Sequence, residues 1–158
     1  MINYKLNIGD LLVSTEKDVT FTCYGLGSCI GLFVQDRTTG ICGGAHIQLP
    51  GDSFSYNTSI GKYYSAQSAI EQIIDQFKSK GSNGLNLRAK IAGGSSMYGS
   101  SYEIGKRTSE DTIALLTKNL IYVAASDIGG KLSRTASFNC HTGELVVRIP
   151  ETNEIKFF

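Results

Sequence analysis

The sequence predicts an α+β fold, and three observations carry that expectation. Val19, Phe21 and Cys23 alternate with Thr20, Thr22 and Tyr24, the period of a strand, and comparable short runs recur along the chain. Residues 65–80 and a second segment beginning at Ser109 instead place apolar residues at helical spacing. Strands and helices do not alternate regularly, so the pattern favours mixed β-sheets with two main helices packed outside them over a doubly wound βαβ chain. A chain of 158 residues is near the common domain size, and we read 1–158 as one domain with a core of its own.

Taken in order, residues 4–8 and 11–14 are short mixed apolar runs divided by Gly9-Asp10, a turn signal. The strand through Val19 leads into a turn at residues 25–28, where Gly25 and Gly27 tolerate sharp backbone angles. Residues 30–34 form a buried strand. Thr38-Thr39-Gly40 then makes a hairpin connection, and residues 41–49 return as its partner. That pairing brings His46 towards the turn that bears Cys29. Residues 51–61 are polar and rich in glycine and serine, a mobile loop beside that turn. In the first helix Ala66, Ala69, Ile70, Ile73, Ile74 and Phe77 make one stripe, and Gly81 ends it.

Residues 87–92 are a strand running into Gly93-Gly94-Ser95-Ser96. The lysine of a phosphate-binding loop does not follow, so close approach to the Cys29 turn explains these glycines better. Ser109 is the expected N-cap of the second helix, with Glu110 and Asp111 in its first turn and Ile113, Leu116, Thr117 and Leu120 on its buried face. Residues 121–125 are a strand, and residues 135–139 and 144–149 flank Cys140-His141-Thr142-Gly143, a hairpin signal.

The net charge of +1, with acids and bases interspersed, points away from nucleic acid or an anionic membrane as partner. Residues 1–17 lack the apolar run of a signal peptide and no stretch is long enough to span a membrane, which predicts a cytoplasmic protein without membrane insertion. The four cysteines, Cys23, Cys29, Cys42 and Cys140, are then expected as free thiols in a reducing compartment.

Candidate chemistry centres on Gly25-Leu26-Gly27-Ser28-Cys29 and on Gly43-Gly44-Ala45-His46. A nucleophilic thiol needs a turn that presents it and a base that takes its proton. Cys29 after the glycine turn and His46, one of 2 histidines, supply both. A histidine-paired thiol is more ionised at neutral pH than a free one. The same residues also fit a structural cysteine after a turn beside a core histidine. The other histidine, His141, sits in a turn and reads as a surface residue.

The stretch Thr22-Cys23-Tyr24-Gly25-Leu26-Gly27-Ser28-Cys29-Ile30, followed by Gly43-Gly44-Ala45-His46-Ile47-Gln48-Leu49-Pro50, resembles the chemoreceptor glutamine deamidase family, CheD. Lys90-Ile91-Ala92-Gly93-Gly94-Ser95-Ser96-Met97, Ile104-Gly105-Lys106-Arg107, Asp127-Ile128-Gly129-Gly130, Arg134 and Thr142-Gly143-Glu144-Leu145-Val146-Val147-Arg148 continue the resemblance in order. It implies a CheD-like cysteine hydrolase fold and deamidation of chemoreceptor glutamines through a thioester on Cys29. His46 is the implied base, and the backbone at Gly27, Ser28 and Cys29 supports the oxyanion. No cofactor and no metal are implied; the implied partners are methyl-accepting receptors and a CheC-type phosphatase.

The family's catalytic threonine position falls on Cys23, a third candidate site residue, with Thr22 on the opposite face of a regular strand. Only a bulge would bring Thr22 round. The arginine-asparagine pair of the family is Arg107-Thr108 here. Two rival readings stand beside the deamidase: a zinc site of Cys23, Cys29, Cys42 and His46, although its spacing matches no common module, and an adaptor that keeps the fold but acts by binding receptors or the phosphatase.

Overall fold

The computed structural model describes residues 1–51, 61–96 and 103–158. Its strands and helices run β1 (Ile2–Lys5), β2 (Leu11–Ser14), β3 (Val19–Leu26), β4 (Ile30–Asp36), β5 (Cys42–Ile47), α1 (Ala66–Ser79), β6 (Leu87–Gly93), α2 (Ile104–Lys118), β7 (Tyr122–Ile128), β8 (Arg134–Asn139), β9 (Leu145–Ile149) and β10 (Glu154–Phe157). Two five-stranded mixed sheets result, in the orders β1-β3-β8-β9-β10 and β2-β5-β4-β6-β7. The α+β reading of the sequence holds. No helix among the described residues is long and apolar enough to cross a membrane.

Strand alternation sorts the core into two layers. Ile30, Leu32 and Val34 of β4, with Ala45 and Ile47 of β5, pack with Ile70, Ile73 and Phe77 of α1. From the other face of the same strands, Phe33 and Cys42 pack with Phe21, Cys23 and Phe138 of the first sheet. The order of layers is therefore sheet, sheet, helices, because successive side chains of a strand point to opposite faces. Phe33 and Phe138 stack across the two sheets with ring centroids 5.6 Å apart.

The first helix follows its sequence pattern. Ser65 is its N-cap, its Oγ accepting from the Ser68 N–H at 3.1 Å, and Ala66, Ala69, Ile70, Ile73 and Phe77 are buried. Burying each large side chain of that set contributes about 1.5–3 kcal/mol. The second helix departs from it. α2 begins at Ile104, not beyond Ser109, and its buried face is Gly105, Thr108, Ser109, Thr112 and Leu116. Thr117 and Leu120 are exposed. Ser109 caps nothing; its hydroxyl donates to the Gly105 carbonyl at 2.7 Å, as Thr112 does to Thr108. Such back-bonds satisfy small polar residues inside a helix and free its face for very close packing.

Two further corrections concern strands and thiols. The edge strand β10 was not anticipated; it pairs antiparallel with β9. Cys42 and Cys140 are joined by a disulfide that ties the second sheet to the first, so only Cys23 and Cys29 are free thiols. The two positions lie 98 residues apart, and it takes the stacking of the sheets to bring them together. The loop expected over residues 51–61 lies, apart from its two ends, outside the described residues, as does Met97.

Candidate active site

The Cys29 turn is set by a bulge and held by a glycine latch. The register of β3 on β8 shifts between Cys23 and Leu26, where Gly25 takes φ +60, and such a bulge re-aims the chain beyond it. The turn then passes through Gly27 and Ser28 to Cys29, immediately before β4. The end of β6 closes over it: the Gly94 N–H donates to the Cys29 carbonyl at 2.9 Å and the Ser95 N–H to the Gly27 carbonyl at 2.8 Å. A Cβ on Gly93 would lie 2.1 Å from the Cys29 carbonyl oxygen. On its other side the loop meets α2, where a Cβ on Gly94 would lie 2.1 Å from Ser109 Oγ. The small-residue face of α2 exists to admit this backbone, and the close approach expected of the glycines is present.

His46 reaches the same place through the β4–β5 ladder, in which Gly31 pairs with His46 and Ile30 with Ile47. Its imidazole is buried, 4% exposed, and Nδ1 lies 2.9 Å from the Leu6 carbonyl oxygen. A carbonyl only accepts, so Nδ1 carries the proton and Nε2 keeps its lone pair. The backbone of residues 9–10 braces the histidine: the Gly9 N–H donates to the His46 carbonyl at 2.9 Å, and the His46 N–H to that of Asp10 at 3.1 Å. Asp10 in turn pairs with Lys62.

Cys29 and His46 line one open cleft of about 480 Å³, together with Leu6, Ile8, Tyr24 and Gly25. The ammonium of Lys5 sits 5.6 Å from the Tyr24 ring centroid at its rim. Burial lowers the His46 pKa below its ordinary value, opposed by the Leu6 hydrogen bond and by Asp10. Burial also pushes the Cys29 thiol up to about 11, and Cys29 Sγ makes no hydrogen bond among the described residues. Against the expectation of a histidine-ionised thiolate, burial favours the neutral form of each group.

Cys23 is fully buried between the sheets. A Cβ on Gly31, the ladder partner of His46, would lie 3.3 Å from its sulfur. Its thiol is raised far above the ordinary value, by burial first and then by Cys29 and Asp10. Thr22 faces away, its hydroxyl 3.0 Å from Ser137 Oγ and 3.3 Å from Asn3 Oδ1. The bulge that would have been needed to turn Thr22 is present, but it begins after Cys23 and leaves Thr22 on the outer face. The zinc reading fails because Cys42 is bonded to Cys140; no group of three or more metal-binding side chains occurs among the described residues. Sequence reasoning missed Leu6 and Asp10. A carbonyl acceptor leaves no trace in residue type, and Asp10 reads as a turn residue.

Fold and cleft together define a class: a two-sheet α+β protein with a free cysteine and a histidine in one cleft. The chain belongs to the CheD family, whose description, CheD chemotactic sensory transduction, matches residues 48–149. It is 34% identical over 150 residues to the probable chemoreceptor glutamine deamidase CheD of Geobacillus kaustophilus, covering 91% of this chain and 90% of that one. It is 35% identical over 144 residues to the chemoreceptor glutamine deamidase CheD of Thermotoga maritima, covering 90% and 89%. A probable chemoreceptor glutamine deamidase of Methanosarcina mazei is 35% identical over 143 residues; 88% of this chain spans 62% of that protein. Among solved structures, a hypothetical protein of Bacillus licheniformis, YfiH, aligns with TM-score 0.47 and 13% identity over 75% of this chain and 49% of that one. The fold assignment rests on the topology above and not on that likeness.

Proposed function

We propose that the protein hydrolyses glutamine side-chain amides of chemoreceptors to glutamate and ammonia, with Cys29 as nucleophile and His46 as base. The observation that carries this reading is the convergence of the free Cys29 thiol and the pinned His46 imidazole on one cleft. With Nδ1 committed to Leu6, Nε2 is the nitrogen left to take the thiol proton as sulfur attacks the amide carbon. Because both groups start neutral, transfer and attack go together once a substrate has displaced water from the cleft.

The tetrahedral oxyanion needs donors. The N–H groups of Gly27, Ser28 and Cys29 have no acceptor among the described residues, and one such donor is worth about 3–4 kcal/mol of barrier. The protonated imidazole then gives its proton to the departing amine, releasing ammonia and leaving a thioester. Water, deprotonated by His46, cleaves the thioester to the glutamate carboxyl and restores the thiol. Thiol, imidazole and water suffice, so the scheme uses no cofactor. Cys23, at the family's threonine position, is assigned a supporting place behind Gly31.

The receptor substrate comes from the names of the relatives; a cytoplasmic location, 1–158 as one working unit and a CheC-type phosphatase as a second partner are further parts of the proposal, carried by the family resemblance. A binding-only adaptor is favoured by one observation, the buried thiol where the family has threonine. Mass spectrometry of a receptor cytoplasmic fragment incubated with the protein separates the two. Glutamine-to-glutamate conversion that is lost in Cys29→Ala and His46→Ala supports the hydrolase. Receptor binding without conversion supports the adaptor.

A further inference from the structure

A second cleft, of about 340 Å³, opens between the sheets at the opposite end of β4 and β6 from Cys29. Four cationic side chains converge on it: Lys17 from the segment before β3, Arg37 from the β4–β5 hairpin, and Arg88 and Lys90 from β6. His141 and Thr142 of the β8–β9 turn close it. Arg88 and Lys90, two apart on one strand, share a face. No Asp or Glu is among the residues that line this cleft, and Lys17, Arg37 and Arg88 form no ion pair among the described residues.

The crowding is costly to the protein by itself. Burial, Arg88 and Arg37 lower the Lys90 pKa, and Glu144 offsets them only in part. Its ammonium is anchored by the carbonyl of Gly143 at 2.7 Å and by the main-chain oxygen of Phe158, the last residue of the sequence, at 2.9 Å, so it cannot swing away from the arginines. The walls are equally fixed. Gln35 donates to the Cys140 carbonyl at 3.0 Å, and Cys140 is bonded to Cys42. A chain of net charge +1 has gathered four cationic side chains in one pre-formed concavity, three of them without an ion-pair partner among the described residues.

We infer that this cleft binds a small polyanion carrying two or more phosphate-like groups. Its volume is that of a small-molecule site and far below what a nucleic-acid groove requires. Two guanidinium forks suit oxyanions presented in pairs, and Lys17, Arg37 and Arg88 together carry more charge than one phosphate group neutralises. This site lies apart from Cys29 and does not rest on the deamidase reading.

The test is calorimetric titration of the full chain with sodium tripolyphosphate at low ionic strength, with orthophosphate, sulfate and a short poly-glutamate peptide as comparators. Saturable one-to-one binding of tripolyphosphate is expected, tighter than that of orthophosphate or sulfate. Arg37→Ala and Arg88→Ala should each weaken it about tenfold, and Lys17→Ala, which removes a point charge and no guanidinium fork, less. Binding should weaken but persist at an ionic strength of about 0.15 M. Arg88 also faces the Tyr122 ring; should its variant misfold, Arg37→Glu on the exposed hairpin decides alone by abolishing binding. No saturable binding, binding indifferent to Arg37, equal affinity for sulfate, or preference for the peptide would each overturn the assignment.

Discussion

At the Cys29 end of β4 and β6 burial favours a neutral thiol and a neutral imidazole, whereas at the Arg88 end of the same strands four cations stand together with only partial offset from Glu144. The construction differs as much as the charge. The first end is made by backbone: Gly93 and Gly94 press against the Cys29 turn so closely that no side chain fits between. The second is made by side chains of long reach, standing on a hairpin and a strand and stapled by a disulfide. The contrast separates two ways of building a site. Reacting atoms demand sub-ångström placement, which backbone contacts deliver; capture of a charged ligand tolerates flexible arms, because Coulomb attraction falls off slowly.

The largest effect expected from this contrast is chemical. Cys29→Ala should lower deamidation by about 10⁴-fold or more and His46→Ala by about 10²–10⁴-fold, with melting temperature little changed. Arg37→Ala at the other end should leave the rate as it was. Ammonia release from a receptor fragment measures all three, and full activity in the Cys29 variant would remove the role given to it.

Next comes stability. Gly93→Ala puts a Cβ against the Cys29 carbonyl at a φ of +117, and should destabilise by about 3–5 kcal/mol in urea unfolding. Gly40→Ala at the cationic end, also at positive φ but with its nearest neighbour 4.0 Å away, should cost about 1–2 kcal/mol. Equal costs would erase the distinction between the two ends.

Reduction of Cys42–Cys140 should take about 2–5 kcal/mol from stability, read as the shift in unfolding midpoint between oxidised and reduced protein. The rate at Cys29 should be unaffected below the unfolding transition. A rate that falls with reduction would show that the ends are coupled.

A smaller effect is the pH dependence at the Cys29 end. The competent form holds a neutral imidazole and a neutral thiol. Because the His46 pKa is lowered, the imidazole protonates at lower pH than an ordinary histidine, and the acid limb of the rate should lie below that of a free imidazole. Alkylation of Cys29 by iodoacetamide should climb until pH approaches about 11; a plateau near neutrality would mean a preformed ion pair. The sign for folding follows. The unfolded histidine takes up its proton at higher pH than the native one, so stability falls as pH drops below about 6.5, and His46→Gln should flatten that slope.

Smallest is Cys23→Thr. A hydroxyl donates more strongly than a thiol, so the variant should keep the deamidation rate or raise it up to about tenfold, with a modest loss of stability from placing a hydroxyl between the sheets. Loss of activity at unchanged stability would give the thiol a role of its own.

How much was legible depended on what each element buries. α1 was readable to within a residue or two because Ile70, Ile73 and Phe77 repeat at helical spacing. α2 was misplaced because its buried face is Gly105, Thr108, Ser109 and Thr112, residues that also signal caps and turns. β10 was missed because it is only four residues long and mostly exposed, so the alternation of Ile155 and Phe157 with Glu154 and Lys156 is too short to mark a strand. Cys29 and His46 stood out through a glycine turn and the scarcity of histidine, while the Leu6 carbonyl that orients the imidazole left no mark in the sequence.

The sequence by itself determined the α+β class, the glycine turn that presents Cys29, and the hairpin that returns His46 beside it. These are local matters, settled by periodicity and turn chemistry within one pair of strands. Only the tertiary structure decided the ionisation of the two groups, the pairing of Cys42 with Cys140, the outward direction of Thr22 and the gathering of four cations from a chain of net charge +1. Each of those depends on which residues from distant segments come to lie against one another when two sheets stack, since burial and charge proximity are properties of the folded neighbourhood and not of the residue.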